Sequence, residues 1–566
     1  MPRRQTVIRI ILPFLSSALL VALAFGSAFH AAFVHWDDPI NVTENVHVHG
    51  FSATNLRWMF TDLEHALRYK PLSWLAWTSI YEIAGLNPSA FHLINLILHA
   101  LNGGLTFFLF RSVLKRNGAD EHRCSQAAAL GAMVWLVHPL RVEPVAWVTG
   151  LPYELSIFFL LGSLLIYVSP RLDTYGGSHA PGLTAAAVFF MLAILSYPLV
   201  LGAVFLFPLL DHFVVGRFPE GSWNLRSAAT RKTWAEKSPM FAAAGLLVAL
   251  AVFTRLYRNS TWIPAASLGE FGLMERTAQA GYILGYYLWR PFWPVGLSPV
   301  YTELLTINPW SPRFLLSALA VAGLTAWLLA SKASRPGLWA LWLAYVAVMI
   351  PILGLTEHPH YPSDRYGMVG GLVLAFALAV GLSVARRYFR PLMALTIFAI
   401  VVCVPLSRHQ SGVWQNSQVL FTHIIRELGD DPYRFDIYPR LVSFLINESR
   451  LDEAWRASDE AIRARQSSPE IRVLRGTVLF RQGRMKEATA EYELALAVQP
   501  KSAPAQYGLG LIDGAEGRFS GAAARFRRTL ECDPSFQPAR RDLDILEKAT
   551  GQSGRQNPPP GASPKP

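Results

Sequence analysis

The feature that most restricts the fold of this chain is a recurring run of apolar residues before residue 407. A transmembrane helix needs about 20 mostly apolar residues to cross the hydrocarbon core of a bilayer. The sequence repeats that pattern about eleven times. We predict spans near residues 8–30, 90–110, 126–138, 153–169, 182–196, 198–213, 239–254, 313–330, 337–355, 367–384 and 391–407. Residues 1–410 are therefore predicted to form an all-α, polytopic membrane helix bundle.

The charge content supports a membrane half followed by a soluble half. Only 16% of the residues are charged, against about 25% in an ordinary soluble domain, which excludes a single soluble globule. The net charge of +12 would favour a nucleic-acid partner if one soluble surface held it. Residues 431–566 hold 21 basic and 18 acidic side chains, so the basic excess lies in the membrane half. No nucleic-acid partner is expected.

Basic residues in short loops predict which side of the membrane each loop occupies, because Lys and Arg are concentrated on the cytoplasmic side. The basic loops contain Arg3, Arg4, Arg111, Lys115, Arg116, Arg123, Arg217, Arg226, Arg231, Lys232, Lys237, Arg386, Arg387 and Arg390. The predicted outer side holds residues 31–89, 138–152, 356–366 and everything after 407. This assignment requires that 282–293, which Pro291 and Pro294 interrupt, is a broken or interfacial helix and not a full crossing.

The first apolar run has two interpretations. Arg3 and Arg4 precede it, and the small residues Ala31 and Ala32 follow it, as in a cleaved signal peptide. Its apolar stretch, 11–34, is longer than the usual core of a signal peptide. We therefore expect a retained membrane anchor.

After residue 430 the sequence repeats with a period of 34 residues. The matching pairs are Gly476 and Gly510, Gly483 and Gly517, Ala488 and Ala522, Tyr492 and Phe526, Leu496 and Leu530, Pro500 and Pro534, with the weaker earlier pairs Ala454 and Ala488, and Ile462 and Leu496. This period and pattern are typical of tetratricopeptide repeats. We predict a connecting helix over 411–430, a soluble α-solenoid of about three repeats over 431–550, and a disordered Pro-, Gly- and Ser-rich tail over 551–566.

Adjacent carboxylates follow the first span directly. Asp37 and Asp38 come after Trp36 at the start of the outer loop 31–89, which also contains Lys70. A structural interpretation is that Asp37 caps a short helix beginning at Pro39. A functional interpretation is that the two carboxylates take part in chemistry on the outer side.

Several phrases of the predicted outer segments resemble those of one known family. They are Trp36-Asp37-Asp38, Tyr69-Lys70-Pro71-Leu72, Gly85-Leu86-Asn87-Pro88, Phe91-His92-Leu93-Ile94-Asn95-Leu96, His99-Ala100-Leu101-Asn102, His138-Pro139 with Glu143, Val145-Ala146-Trp147, Trp293-Pro294, Leu297-Ser298-Pro299 and Asp364-Arg365-Tyr366. With a multispan half and C-terminal repeats, the sequence resembles the transmembrane and tetratricopeptide repeat-containing (TMTC) O-mannosyltransferases and their bacterial relatives, of the GT-C class of membrane glycosyltransferases. The resemblance covers nearly the whole chain.

The resemblance implies an enzyme that transfers a sugar, mannose in the named family, from a polyprenyl or dolichyl phosphate to a Ser or Thr hydroxyl of a protein outside the cytoplasm. The lipid-linked sugar would be the donor substrate, and the repeats would present the acceptor. No cofactor is firmly implied, and a divalent cation is left open. The bacterial inner membrane, with the catalytic loop and repeats in the periplasm, is the expected location, and the endoplasmic reticulum is left open.

The candidate site residues follow from this chemistry. A hydroxyl needs a carboxylate general base to become a good nucleophile, and the catalytic candidates are Asp37 and Asp38. A departing lipid phosphate needs cationic partners. The candidates for substrate binding are Lys70, His138, Arg141, Glu143 and Arg365. The alternatives are that the arginines snorkel to the membrane surface and that His138 and Glu143 form a polar pair that stabilises the loop.

No metal site is predicted from the spacing of metal-ligating residues. The triplets His47-Val48-His49 and His358-Pro359-His360 could bind a metal, but neither spacing identifies a site. The three cysteines, Cys124, Cys403 and Cys532, are far apart and odd in number. They form neither a CxxC motif nor a disulfide framework.

Two segments depart from the family pattern. Relatives have a basic segment where this chain has Gly150-Leu151-Pro152-Tyr153, and often Ser-Lys-Glu where it has Ser196-Tyr197-Pro198. Both departures remove charges that could meet the donor. Two further hypotheses therefore remain: a transferase that acts on a lipid or envelope glycan, and a membrane-anchored repeat scaffold whose catalytic site has decayed.

Overall fold

The computed structural model describes residues 2–63, 65, 68–116, 120–169, 180–218, 227–257, 266–355, 362–464 and 468–549. These residues form helices and no strand, which confirms the all-α prediction over the described ranges. The chain divides into two compact units, Met1–Leu420 and Phe421–Pro566. The predicted tail, 551–566, and the histidines His358 and His360 lie outside the described residues.

The first unit is a bundle of α-helices connected by loops and short 3-10 or π-helical turns. Its helices are α1 (Pro2–Phe25), α2 (Ala53–Thr61), α3 (Pro71–Ala84), α4 (Pro88–Arg116), α5 (Glu121–Val137), α6 (Val142–Ala146), α7 (Leu151–Tyr167), α8 (Ala180–Ser196), α9 (Leu206–Leu210), α10 (Ala228–Ala235), α11 (Ser238–Tyr257), α12 (Leu273–Trp289), α13 (Pro312–Ala330), α14 (Pro336–Met349), α15 (Gly367–Val384) and α16 (Phe389–Ser411). The next helix, α17 (Ser417–Leu428), contains the boundary between the units.

The predicted number of spans is too high. Within the described ranges, seven helices are long and apolar enough to cross a membrane, or eight if the bent pair of α10 and α11 is one span. The seven are Arg9–His30, Pro88–Arg116, Val148–Tyr167, Pro198–Val215, Pro312–Ala330, Asp364–Val384 and Phe389–Trp414. The other predicted spans also fall on helices, but α5 has 17 residues, and Pro181–Ser196 and Pro336–Ile352 are no longer than that. A run of apolar residues does not show where its helix ends, so the sequence alone overestimates the count.

Exposed apolar side chains along these helices support their placement in lipid. Leu319 on α13 is 58% exposed and Phe398 on α16 is 64% exposed. Only 11% of the apolar window of each of these two helices is buried inside the protein. Large exposed apolar faces are unfavourable in water and stable against lipid, so the chain is an integral membrane protein.

Prolines determine where α12 ends. The helix continues to Trp289 and is followed by a 3-10 turn, Arg290–Phe292, that contains Pro291. A proline has no amide hydrogen to continue the helical hydrogen bonds. With 17 residues, α12 is shorter than a typical full crossing.

A buried polar cluster joins α4 to α7 inside the first unit. Glu154 Oε2 lies 3.1 Å from His99 Nδ1 and accepts a hydrogen bond of 2.8 Å from Asn102 Nδ2. All three residues are fully buried. Because an unpaired polar group is costly in an apolar interior, these contacts fix the register of α4 against α7. They thereby fix the position of the first turn of α7, which lies at the candidate site.

The second unit is a series of short helices, each packed against the next along the chain. They are α18 (Arg434–Asn447), α19 (Leu451–Arg463), α20 (Pro469–Arg481), α21 (Met485–Val498), α22 (Ala503–Ala515), α23 (Phe519–Cys532) and α24 (Gln537–Ala549). A Cβ atom at Gly476 would lie 2.7 Å from the Tyr492 ring, and one at Gly510 would lie 2.6 Å from the Phe526 ring. The 34-residue matches therefore make the same close contact in two successive helix pairs.

One contact changes its polarity between these two pairs. Arg472 Nη1 lies 3.1 Å from Glu491 Oε2, between α20 and α21. At the positions 34 residues later, Arg525 Nη1 donates a hydrogen bond of 3.0 Å to Gln506 Oε1, between α23 and α22. The basic residue is on the first helix of one pair and on the second helix of the next.

Substitution of a glycine on α22 tests this packing. Tyr492 also contacts Gly508, where a Cβ atom would lie 2.3 Å from the tyrosine Cζ. We expect Gly508→Ala to destabilise the second unit by roughly 1–3 kcal/mol, because the ring is buried and must shift. The measurement is resistance of the full-length protein to thermolysin over a temperature series, with peptides of the second unit identified by mass spectrometry.

Gly514 provides a matched control on the same helix. Its added Cβ would meet Ala522 at 3.9 Å, an ordinary contact, and alanine favours the helix. Gly514→Ala should therefore be at least as resistant as the original protein. Equal resistance of the two variants would contradict the packing described for Tyr492.

Candidate functional site

A polar cavity of about 320 Å³ lies between the loop after α1, the start of α7 and the segment before α15. We call it the polar pocket. It is lined by Asp37, Ile40, Asn41, Arg68, Lys70, Trp147, Thr149, Pro152, Tyr153, Tyr197, Arg365 and Tyr366. The fold thus brings together three of the residues predicted from the sequence: Asp37, Lys70 and Arg365.

The two adjacent aspartates have different surroundings. Asp37 is partly buried and lines the polar pocket. Asp38 is fully buried, and its Oδ2 accepts a hydrogen bond of 2.8 Å from the backbone N–H of Val34. Its Oδ1 accepts from the Thr149 hydroxyl at 2.6 Å and from the Thr149 N–H at 3.3 Å. Asp38 therefore joins the loop after α1 to the turn that precedes α7.

The structure does not support the interpretation of Asp37 as a helix cap. The short helix Pro39–Thr43 has Asp38 at its N-cap position, and no side chain makes a capping hydrogen bond there. The backbone oxygen of Asp37 instead accepts hydrogen bonds from the N–H and the Nδ2 of Asn41, at 3.0 and 2.8 Å. The side chain of Asp37 stays available at the pocket wall.

Lys70 is enclosed by polar and aromatic groups. It is 4% exposed, and its Nζ donates a hydrogen bond of 2.8 Å to Asn41 Oδ1. The same Nζ lies 4.6 Å from the ring centre of Trp74 and 5.1 Å from that of Trp77, which are favourable cation–π distances. Burial lowers the pKa of Lys70 to about 7, although the charge of Asp37 opposes that change.

Arg365 is held by several partners at the opposite wall. Its guanidinium forms an ion pair with Glu143, and its Nε donates a hydrogen bond of 2.9 Å to the Tyr153 hydroxyl. Glu143 also accepts from the Arg365 N–H at 2.9 Å and from the Ser363 hydroxyl at 2.7 Å. The Trp147 ring centre lies 5.4 Å from the guanidinium carbon. Glu143 therefore binds both the guanidinium and the backbone of Arg365 and fixes the orientation of the Arg365 side chain.

His138 and Arg141 do not line the polar pocket. His138 Nε2 lies 2.8 Å from the Pro291 oxygen, and its Nδ1 accepts from the Leu140 N–H at 3.2 Å, so both ring nitrogens stabilise the chain around them. Arg141 is 2% exposed, and its Nη2 donates to the Gly367 oxygen at 3.2 Å. Among the described residues His138 and Glu143 share no hydrogen bond, so the predicted polar pair is wrong.

The histidines of the triplet 47–49 contact aromatic rings. His47 stacks on Trp58 with ring centres 4.5 Å apart, and His49 stacks on Tyr81 at 4.6 Å. His49 Nε2 also lies 2.8 Å from the Val42 oxygen. Within the described ranges, no group of three or more His, Cys, Asp or Glu side chains could hold a metal ion.

Sequence reasoning did not identify the tyrosines of this site. Tyr153 and Tyr197 lie at the two departures from the family pattern, and their hydroxyls are 2.9 Å apart. Both line the polar pocket. Thr149 and Asn41 were also missed, although each lies close in sequence to a predicted phrase. The available signal was the co-occurrence of two tyrosines at the positions where charges are lost.

An apolar groove with a volume of about 340 Å³ borders the polar pocket. It is lined by Arg68, Tyr69, Tyr197, Pro198, Leu199, Leu201, Leu247, Val248, Leu250, Ala251, Val252, Thr254, Ile350, Pro351, Ile352, Gly354, Leu355 and Tyr366. Three residues, Arg68, Tyr197 and Tyr366, belong to both cavities. The apolar groove therefore meets the polar pocket at these three residues.

No protein-family model matches the chain. Among curated proteins it is similar to the protein O-mannosyl-transferase TMTC1 of Mus musculus, with 29% identity over 181 residues that cover 30% of this chain and 18% of the relative. It is 36% identical to TMTC2 of Homo sapiens over 101 residues, which cover 18% of this chain and 11% of the relative. In sequence, the chain is TMTC-like. This confirms the resemblance predicted from the sequence phrases over the matched part of the chain.

The match to the TMTC proteins is partial. TMTC4 of Mus musculus is 28% identical over 202 residues, which cover 33% of this chain and 26% of TMTC4. The chain thus spans between 11% and 26% of the length of these three relatives. The solved structure of ArnT from Cupriavidus metallidurans, bound to undecaprenyl phosphate, aligns with 92% of this chain and 80% of its own at 13% identity and a TM-score of 0.38.

The buried Asp38 carboxyl predicts a dependence of stability on pH. Burial raises its pKa from 3.8 to about 7, so the folded protein holds the proton more tightly than the unfolded chain does. The protonated Asp38 carboxyl therefore stabilises the fold fully below pH 3.8, which is the ordinary pKa of the group, and this stabilisation is lost as the pH rises through about 7. The midpoint temperature of thermal unfolding in detergent should therefore decrease as the pH is raised from about 4 to about 7.

Asp38→Asn removes this titration. We expect the variant to unfold at a lower temperature at acidic pH, because an amide cannot satisfy both the Val34 and Thr149 donors, and to show a shallower pH dependence. Glu44→Gln changes an exposed carboxylate in the same loop and should keep the original slope. Parallel curves for Asp38→Asn and the unmodified protein would contradict the assignment.

Proposed function

We propose that the chain is a membrane glycosyltransferase that moves a sugar from a polyprenyl phosphate to Ser or Thr hydroxyls of proteins. Mannose is the proposed sugar, because the similar curated proteins are named O-mannosyl-transferases. The observation that carries the proposal is the polar pocket, where one carboxylate faces the cations Lys70, Arg68 and Arg365 beside an apolar groove. A lipid-linked sugar phosphate has the matching combination of polar head and apolar chain.

Asp37 is the proposed general base. Its carboxylate lines the pocket, whereas Asp38 is buried with both oxygens occupied. A base must reach the proton it abstracts, and only Asp37 of the pair is placed to meet an acceptor hydroxyl. Asp38 is then a positioning residue, which holds the loop that presents Asp37.

The cations would stabilise the phosphate that departs from the sugar. Negative charge develops on that phosphate as the glycosidic bond breaks, and fixed cations stabilise it best when they need not reorganise. Lys70 is fixed by Asn41 and two indole rings, and Arg365 by Glu143 and Tyr153. Within the described residues, Arg365 Nη2 makes none of these hydrogen bonds and remains to meet a ligand oxygen.

The apolar groove would bind the first isoprene units of the donor. Its walls are mainly Leu, Val, Ile and Pro side chains from the segments around residues 200, 250 and 351. Burial of apolar surface contributes about 25 cal/mol per Å², so the chain of the donor supplies affinity while the pocket positions the phosphate. The groove begins at Arg68, Tyr197 and Tyr366, where the phosphate would lie.

The second unit is proposed to be a stack of tetratricopeptide repeats that presents the acceptor protein. Its support is the 34-residue period and the repeated glycine–aromatic contact between helix pairs. We also propose that the polar pocket and the repeats lie on the periplasmic side of a bacterial inner membrane, since the basic loops favour the cytoplasm. Domain limits of 1–410 and 431–550, with 411–430 between them, complete the proposal.

The loss of one carboxylate tests the function. Membranes containing the protein should transfer radiolabelled mannose from polyprenyl-phosphate mannose to protein, and Asp37→Asn should reduce that rate by about 10²-fold or more, because general-base catalysis contributes about 10²–10⁴-fold. Glu44→Gln is the matched control and should keep full activity. Full transfer by Asp37→Asn would overturn the assignment.

Mass analysis of the labelled product distinguishes the acceptor classes. Label on Ser or Thr residues supports the proposal, whereas label on a lipid or glycan alone replaces its acceptor. An absence of transfer by the unmodified protein with every lipid-linked sugar supplied would favour the scaffold hypothesis.

The Lys70 ammonium predicts a pH dependence of donor binding. Its pKa is lowered to about 7, so it loses its charge as the pH rises through that value. The donor phosphodiester stays anionic throughout, and its Kd should therefore rise by up to about tenfold per pH unit above about pH 7. Lys70→Arg, whose side chain stays charged, should bind with less pH dependence. An equal dependence in both proteins would contradict this role of Lys70.

A further inference from the structure

Arg365, Tyr153 and Tyr197 form a chain of hydrogen bonds across the polar pocket. Arg365 Nε donates to the Tyr153 hydroxyl at 2.9 Å. The Tyr153 hydroxyl in turn donates to the Tyr197 hydroxyl, also at 2.9 Å, and the two phenol rings have their centres 4.4 Å apart. These hydrogen bonds join residues that are distant in sequence. Arg365 and Tyr153 are 212 positions apart, and Tyr153 and Tyr197 are 44 positions apart.

The available hydrogens determine the direction of each of these hydrogen bonds and which hydroxyl keeps an unused donor. The Arg365 Nε–H can only donate, so Tyr153 accepts there. Tyr153 is 4% exposed, and the Tyr197 oxygen is the acceptor that the described residues provide for its hydrogen. The hydrogen of the Tyr197 hydroxyl then has no acceptor among the described residues. It is the free donor at the end of the chain.

Tyr197 lies where the two cavities meet. It lines both the polar pocket and the apolar groove and is 9% exposed. A ligand with a polar head in the pocket and a hydrocarbon chain in the groove must pass this residue. The atom at that point of an alkyl phosphate is a phosphate oxygen, which is a strong hydrogen-bond acceptor.

We propose that Tyr197 is a phosphate-binding residue, whose hydroxyl donates to an oxygen of an alkyl phosphate, and that Tyr153 is a positioning residue that transmits the polarity of Arg365 to it. The inference rests on the proposed function, because it assigns the phosphate of the proposed donor to this point. Each donor in such a chain is strengthened by the one before it. The relay supplies a polarised donor at a position where the sequence lacks a charge.

The test measures the binding of farnesyl phosphate and of farnesol to the purified full-length protein in detergent. Tyr197→Phe removes the terminal hydroxyl and keeps the ring. We expect it to weaken farnesyl phosphate binding by about tenfold or more, as for loss of a hydrogen bond to a charged group, and to leave farnesol binding unchanged. Tyr153→Phe should cause a smaller loss, because the Tyr197 hydroxyl remains but is no longer polarised.

Tyr282→Phe is the matched control. Tyr282 lies on α12 and lines neither cavity, so the variant should bind both ligands as the unmodified protein does. Unchanged binding of farnesyl phosphate by Tyr197→Phe would overturn the inference. An equal loss of farnesol binding would also overturn it, since it would indicate a change in groove shape.

These outcomes are separate from those of the proposed function because binding does not require turnover. If the unmodified protein binds farnesyl phosphate through Tyr197 but transfers no sugar, the proposed function fails and the relay stands. If it transfers sugar while Tyr197→Phe binds farnesyl phosphate normally, the relay fails and the function stands. Failure of the unmodified protein to bind farnesyl phosphate overturns the relay.

Discussion

The arrangement of the candidate site depends on one buried carboxyl group. Asp38 connects the Val34 backbone, just after the first membrane helix, to Thr149, just before α7. Asp38 and Thr149 are 111 positions apart in sequence, and the bond between them fixes the loop on which Asp37 lies. Because the carboxyl group is fully buried, a lost partner would leave an unsatisfied polar group in a dry interior. The position of Asp37 is therefore a consequence of the burial of its neighbour.

At the opposite wall of the polar pocket, a cation, Arg365, is held in place by hydrogen bonds and an ion pair. Glu143 is bonded to the backbone and the guanidinium of Arg365, so the cation is oriented before any ligand enters. A buried charge pair of this kind is weak evidence for added stability, but it leaves Arg365 with a fixed geometry. The two walls together provide one carboxylate that lines the pocket and several restrained cations within a small volume.

The sequence predicted the fold class well and the site in part. Apolar runs are local signals, which explains why the predicted spans fall on helices. The 34-residue period is matched by a glycine–aromatic contact that recurs in two helix pairs. The number of spans depends on where helices end, as at Pro291, and hydropathy does not record that. Asp37, Lys70 and Arg365 were found because family phrases contain them. Tyr153 and Tyr197 were not found, because the hydrogen bond between their hydroxyls depends on the fold and no local sequence pattern indicates it.

The polarity change between the helix pairs of the second unit distinguishes sequences that are otherwise alike. If α20 paired wrongly with α23, Arg472 would face Arg525, and two cations would meet at a partly buried contact. If α22 took the place of α20 against α21, Gln506 would replace Arg472 opposite Glu491. Internally similar repeats can exchange partners during folding or between molecules, and such mismatches penalise the wrong pairings. The alternating position of the basic residue thus favours pairing of each helix with its correct neighbour.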